Sequence, residues 1–250
     1  MVSSAGRTAV ALSATLCDYF ARLLGELGLQ AWWPARTRLE VVLGAVLTQN
    51  TSWVNAARAL RRLRQAGRLS LSGSRSTDRS ELESLIRPAG FFRQKARAIK
   101  NFLDYLQGTH YGSLARLFAR PADRLRRDLL GLKGFGPETV DAILVYAGRH
   151  PYFVADAYTR RILARHELVP PDADYAEVQA FLHQHLTADP ALFNEYHALL
   201  VEVGKRYCKR RAPQCQGCPL QEFLPRSAVS SQPSVVSTTA IGQSSLIAEG

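Results

Sequence analysis

The sequence has no apolar stretch long enough to cross a bilayer. Its longest largely apolar run, Leu39 to Leu47, falls far short of the roughly 20 residues a spanning helix needs. Cysteine is scarce: Cys17 stands alone and Cys208, Cys215 and Cys218 cluster near the other end, which excludes a disulfide scaffold. Acidic residues are few, 21 against 32 Lys plus Arg, for a net charge of +11 over 250 residues. Lysine supplies only 5 of those cations, so 27 are arginine, whose planar fork grips phosphate oxygens two at a time. A polyanionic partner is the first expectation, although charge alone does not separate nucleic acid from an anionic membrane, and arginine richness can also reflect genome composition. A 46% hydrophobic content is enough for one or two domains with a real core, and excludes a mainly disordered chain.

The run Ala9 to Leu16 followed by Cys17 has the outline of a lipoprotein signal, but a single Arg precedes it. The apolar period continues through Tyr19, Phe20, Leu23, Leu24 and Leu27 as one amphipathic helix. A cytoplasmic protein is expected, with no membrane attachment. Periodicity then gives helix after helix and no alternating strand: about 10–28, 38–48, 52–66, 80–86, 92–107, 113–118, 121–131, 137–147, 157–167, 174–186 and 190–207. Thr37 with Glu40 and Ser80 with Glu83 read as capping boxes. The fold class is therefore all-α. The stretch 70–80 reads as a surface loop, and 227–250, whose only charge is Glu249, as a disordered tail.

The most informative segment runs from Leu129 to Arg161. A helix ends at Gly131, Gly134-Phe135-Gly136 forms a turn, and Pro137 opens the next helix at its first position. Such a hairpin is either a plain helical turn or a place where backbone amides and a helix N-terminus meet a phosphate. Beyond that helix, His150-Pro151-Tyr152-Phe153-Val154-Ala155 leads to Asp156 at the mouth of another. Asp156 is an N-cap on one reading and a functional carboxylate on the other.

These residues resemble the helix-hairpin-helix DNA glycosylases of the endonuclease III superfamily, whose signature is a Leu-x-Gly-x-Gly hairpin, a helix, and a Val-x-Asp about twenty residues past the turn. The likeness covers about residues 15–220 and includes Leu43-Gly44-Ala45-Val46-Leu47-Thr48-Gln49-Asn50-Thr51 and Gly90-Phe91-Phe92-Arg93-Gln94-Lys95-Ala96. It implies a two-lobed fold over residues 1–226. One helical lobe would span about 38–150, the other 10–37 with 151–207, and a cysteine loop 208–224 would follow. The active site would lie between the lobes. It also implies that Asp156 is the catalytic carboxylate, that Gln49 and Phe91 sit on loops filling the space of a flipped nucleotide, and that Lys133, Gly134, Gly136 and Thr139 contact the DNA backbone. The implied partner is double-stranded DNA with damaged bases, bound by a monomer.

Members that also nick the strand carry a Lys two residues after the second hairpin Gly, where this chain has Glu138. A carboxylate cannot form the Schiff base, so base removal by water is expected. Taken singly, Trp32, Trp33 and Trp53 read as core or staple residues. Together with Glu138, Trp32-Trp33-Pro34 and an aromatic just past Gln49-Asn50-Thr51 resemble the 3-methyladenine DNA glycosylase branch, which implies a base pocket of Trp32, Trp33 and Trp53. Lys205 would join that pocket, or be a surface cation beside Arg206.

Cys208, Cys215 and Cys218 have the spacing Cys-x6-Cys-x2-Cys. In the superfamily this opens a four-cysteine [4Fe-4S] loop, but Leu224 stands where the fourth cysteine falls. The expectation is an iron-sulfur cluster of structural role with an unidentified fourth ligand. A cluster short of one iron, a loop without metal, and zinc held by three Cys and a His stay open. The function expected from the whole is monofunctional removal of alkylated purines in base excision repair. The rivals are an endonuclease III-type lyase for oxidised pyrimidines and an inactive lesion-binding protein. Arg58, Arg61, Arg62, Arg64, Arg124, Arg126, Arg127, Lys133 and the stretch Lys205 to Arg211 would form the cationic footprint.

Overall fold

The computed structural model describes residues 9–30, 32–33 and 35–225; the tail expected over 227–250 lies outside them. Among the described residues there are twelve α-helices and no strand: α1 Ala9–Leu27, α2 Arg38–Thr48, α3 Trp53–Gln65, α4 Leu71–Ser76, α5 Arg79–Ile86, α6 Phe92–His110, α7 Leu114–Phe118, α8 Ala122–Leu130, α9 Pro137–Tyr146, α10 Ala157–Arg165, α11 Tyr175–His185 and α12 Pro190–Arg206. Short 3-10 turns occupy Arg87–Ala89 and Gln221–Phe223. No described helix is long and apolar enough to cross a membrane.

The apolar run that opened the sequence reading becomes the central helix. Every residue of α2 from Leu39 to Leu47 is buried, and α2 packs against α3, α6 and α9. Even Glu40 is buried, because its carboxylate accepts from the Arg36 amide at 2.9 Å and pairs with Arg64. Helix α12 lies against α10, α9 and α1, and brings the C-terminal half of the chain onto the N-terminal helix.

Three local expectations are corrected. The stretch 70–80 is not a plain loop: Ser70 caps α4 by accepting from the Gly73 amide at 3.0 Å, and Ser74 is buried while its hydroxyl donates to the Arg68 carbonyl. Hydroxyl groups shape this turn, so it carries no apolar period to read. Ser80 with Glu83 is not a capping box either, since the N-cap of α5 is Asp78, which accepts from Glu81 at 2.8 Å. At Thr37 only half of the expected box forms, because Glu40 turns to Arg36. The reciprocal box in this chain is Asp174 with Glu177.

One polar network braces the hairpin from behind. Asp141 of α9 is fully buried and accepts from Arg126 Nε at 2.7 Å, Tyr175 Oη at 2.8 Å and Gln179 Nε2 at 2.8 Å. Helices α8, α9 and α11 are thereby fixed to one another, and Arg126 faces inward rather than joining the expected cationic footprint.

Candidate active site

Backbone geometry creates the site's rim. Gly134 turns the hairpin with φ +97°, and a Cβ there would lie 2.7 Å from Ala98 Cβ of α6, so only glycine lets the hairpin close on that helix. Across the rim, Gln49 follows α2 and donates from Nε2 to Gly134 O at 2.9 Å and to Thr139 Oγ1 at 2.8 Å. Thr139 is buried and holds Gln49 in this state. Phe91 stands 62% exposed in left-handed backbone at the start of α6, and Asn50 is left-handed too, each non-glycine position costing about 1–3 kcal/mol. Both loops are tied by Lys95, a residue of the Gly90 motif whose role the sequence left unread. It is 2% exposed, its ammonium donates to Leu47 O at 2.9 Å and Ala89 O at 2.8 Å, and burial pulls its pKa down to about 8.

Inside the rim lies a cavity of about 420 Å³ whose wall gathers Trp32, Trp33, Trp53, Gln49, Glu138, Thr139, Tyr146, Asp156, His197 and Lys205. The proposed base-pocket residues and Asp156 are thus brought together from four separate stretches of chain; Phe91, Lys133, Gly134 and Gly136 stay outside the cavity wall. Trp33 stacks on Tyr146 with ring centres 5.0 Å apart and meets Trp53 at 5.1 Å. Trp32 sits edge-on to His197 at 5.9 Å, with the Lys205 ammonium 5.2 Å above its ring. The indole N–H of Trp33 is buried without a hydrogen-bond partner, and that of Trp32 lies toward the Tyr146 hydroxyl.

Asp156 is an N-cap whose second oxygen reaches the cavity. Its Oδ1 caps α10 by accepting from the Thr159 amide at 2.8 Å, while Oδ2 faces His197 Nε2 at 3.6 Å. Burial alone would raise its carboxyl, but the interaction with His197 and the hydrogen bond from the Thr159 amide outweigh this and hold it below the usual carboxylate value. Glu138, exposed at the rim, is shifted the other way: desolvation against the cavity wall and the charge of Asp156 raise it. Two carboxyl groups in one cavity therefore have opposite tendencies. Tyr146 and His197 were missed by the sequence reading, because each sits in a run of buried helix residues and looks like core.

Gly204 shows why α12 approaches so closely. A Cβ there would meet Tyr158 Cδ1 at 2.2 Å, and Tyr158 is part of the cavity wall. Gly204→Ala is expected to destabilise the protein by about 1–3 kcal/mol, measured by chemical denaturation, because the ring has to leave the helix surface.

The cysteine loop lies beyond α12. Cys208 and Cys215 are buried, Cys218 is half-buried, and burial together with the neighbouring thiols raises the Cys218 thiol. Arg165 Nη1 donates to Cys208 Sγ at 2.9 Å. Three thiols suit iron or zinc chemically, but Leu224 offers no donor, and among the described residues no three His, Cys, Asp or Glu side chains converge as a metal site. The residues present do not make a four-ligand site by themselves.

Residues 43–187 match the family model of the HhH-GPD superfamily base excision DNA repair proteins, and the chain belongs to that family. It is a DNA glycosylase of base excision repair. It is 41% identical to MJ1434 of Methanocaldococcus jannaschii, whose name places it among DNA repair glycosylases, over 80% of this chain and 91% of that one. The fold matches an endonuclease III trapped as a covalent intermediate with DNA (TM-score 0.74, 23% identity, 90% of this chain and 99% of that one). It also matches the H. pylori 3-methyladenine DNA glycosylase MagIII bound to 1,N6-ethenoadenine (TM-score 0.67, 26% identity, 80% and 98%).

Proposed function

We propose that the protein is a monofunctional glycosylase that releases alkylated purines such as 3-methyladenine from duplex DNA as a monomer. The observation that carries this reading is the cavity in which three tryptophans adjoin Asp156, supported by the family resemblance, which puts Glu138 where lyases carry their lysine. Residues about 38–150 form one lobe and 10–37 with 151–207 the other, with the cavity between them. Gln49 and Phe91 enter the duplex beside the extruded nucleotide. The amides around Gly134 and Gly136, with Lys133, hold the backbone, and Thr139 releases Gln49 for this step. Exposed Arg58, Arg61 and Arg62 extend the cationic surface.

An N3- or N7-alkylated purine is cationic and stacks on the indoles of Trp32, Trp33 and Trp53, worth about 2 kcal/mol when desolvated. As the bond from C1′ to the base nitrogen breaks, its electron pair goes to the base, which leaves neutral. Asp156 then faces the positive charge developing on the sugar and takes the proton of the water that adds to C1′. No general acid is required for a leaving group already charged.

A second reading has one observation in its favour: the amine of Lys205 is on the cavity wall. Borohydride treatment during turnover separates the two. No covalent adduct with the DNA is expected, and an adduct lost in Lys205→Gln would establish lyase chemistry instead. For the loop of Cys208, Cys215 and Cys218 we propose an iron-sulfur cluster, [4Fe-4S] in type, whose fourth ligand comes from outside the position of Leu224. Protein purified without oxygen should contain iron and absorb in the visible; a colourless, iron-free protein contradicts this.

A further inference from the structure

We infer that His197, held by Tyr146, is the residue that positions Asp156 for reaction, so that Tyr146, His197 and Asp156 act as one relay running from the base pocket to the sugar. The inference rests on the glycosylase reading of the cavity. Tyr146 Oη lies 2.5 Å from His197 Nδ1. Tyr146 is half-buried, and desolvation first and the charge of Asp156 second push its phenol well above its ordinary range, so the hydroxyl keeps its proton and is able to donate to His197. With Tyr146 donating to Nδ1, the ring proton is on Nε2, and Nε2 faces Asp156 Oδ2 at 3.6 Å.

His197 is only 5% exposed, and its Nε2, 3.6 Å from Asp156 Oδ2, stands just beyond ordinary hydrogen-bond length. A buried ring N–H without a partner costs free energy unless something in the cavity completes it. A shift of a few tenths of an ångström toward Asp156 supplies that bond. Occupancy of the pocket can drive such a shift, because the same relay touches both walls: Trp33 stacks on Tyr146, and Trp32 packs edge-on against His197. With Oδ1 fixed by Thr159, Oδ2 is the oxygen free to face the sugar, and His197 sets its direction.

The charged and titratable groups around the pair are Glu138 in the first turn of α9, Arg160 of α10, and Lys205 of α12 across the cavity. His197 favours ionisation of Asp156, and the charge of Asp156 opposes that of Glu138. Without His197, burial is left opposed by Thr159, through its amide and side chain. The acidic limb of the activity profile should then move to higher pH.

The test compares single-turnover release of 3-methyladenine across acidic to neutral pH by the parent, His197→Phe, His197→Gln and Tyr146→Phe. Binding to duplex carrying an abasic-site analogue reports folding. His197→Phe is expected to lower the rate at neutral pH about 10- to 100-fold, as loss of an orienting partner does elsewhere, and to raise the acidic limb while binding holds. His197→Gln, with an amide donor near the position of Nε2, should recover part of the rate and return the limb toward the parent's. Tyr146→Phe should shift the limb in the same direction by less. Equal rate losses at every pH, with the limb unmoved in all three variants, would overturn the relay. If the parent releases no base from any lesion, the glycosylase reading fails separately, and 15N NMR of the histidines still decides the geometry. Protonation of His197 at Nε2, lost from that fixed tautomer in Tyr146→Phe, supports the relay; protonation at Nδ1 in the parent overturns it.

Discussion

Asp156→Asn is expected to reduce base release at least about 100-fold while leaving the protein folded, as judged by single-turnover kinetics and thermal unfolding side by side. The substitution separates the two roles of one side chain. Asparagine caps a helix about as well as aspartate, so the bond from the Thr159 amide to the side-chain oxygen survives and α10 keeps its start. What disappears is the negative charge facing His197 and the sugar. If Asp156 were only an N-cap, the variant would match the parent in both measurements. A parent and variant equally inert across lesions would instead mark the chain as a binding protein.

Arg126→Met should destabilise the protein by about 3 kcal/mol, lowering its melting temperature by roughly 10 °C at this size. The arginine side chain is 25% exposed, but Asp141 is at 0%, and the substitution leaves that carboxylate with Tyr175 and Gln179 as its remaining donors. Methionine keeps the bulk of the stem against Tyr152, over whose ring the guanidinium lies at 5.3 Å, so the loss reports the charge pair rather than packing. The double variant Arg126→Met with Asp141→Asn should recover part of the stability, because no buried charge is then stranded. Were Arg126 a phosphate contact, the single variant would unfold like the parent and bind DNA less tightly.

The helices were legible because their apolar faces repeat at helical spacing and their ends carry recognisable signals; the eleven expected helices all form, with small shifts at their ends. Helix α4 was invisible because hydroxyls and a glycine, not an apolar stripe, define it. The site was legible only where chemistry and spacing coincide. Asp156 and Glu138 were found by their places relative to the hairpin, and Trp32, Trp33 and Trp53 by their rarity. Tyr146 and His197 sit in runs of buried helix residues where a tyrosine or histidine looks like any other core residue, and only the 2.5 Å contact between α9 and α12 gives them a role. Charge was the least specific signal, since Arg64 and Arg126 are each committed to a buried carboxylate, Glu40 and Asp141.

The central claim is that water, and no amine of the protein, releases a cationic base held among the tryptophans. The most direct measurement follows a duplex carrying one alkylated purine, reading the free base and the strand in the same reaction. The account predicts intact alkylated purine in solution and an abasic strand that breaks only on later alkali treatment. Release confined to oxidised pyrimidines, or a strand nicked before alkali, would contradict it.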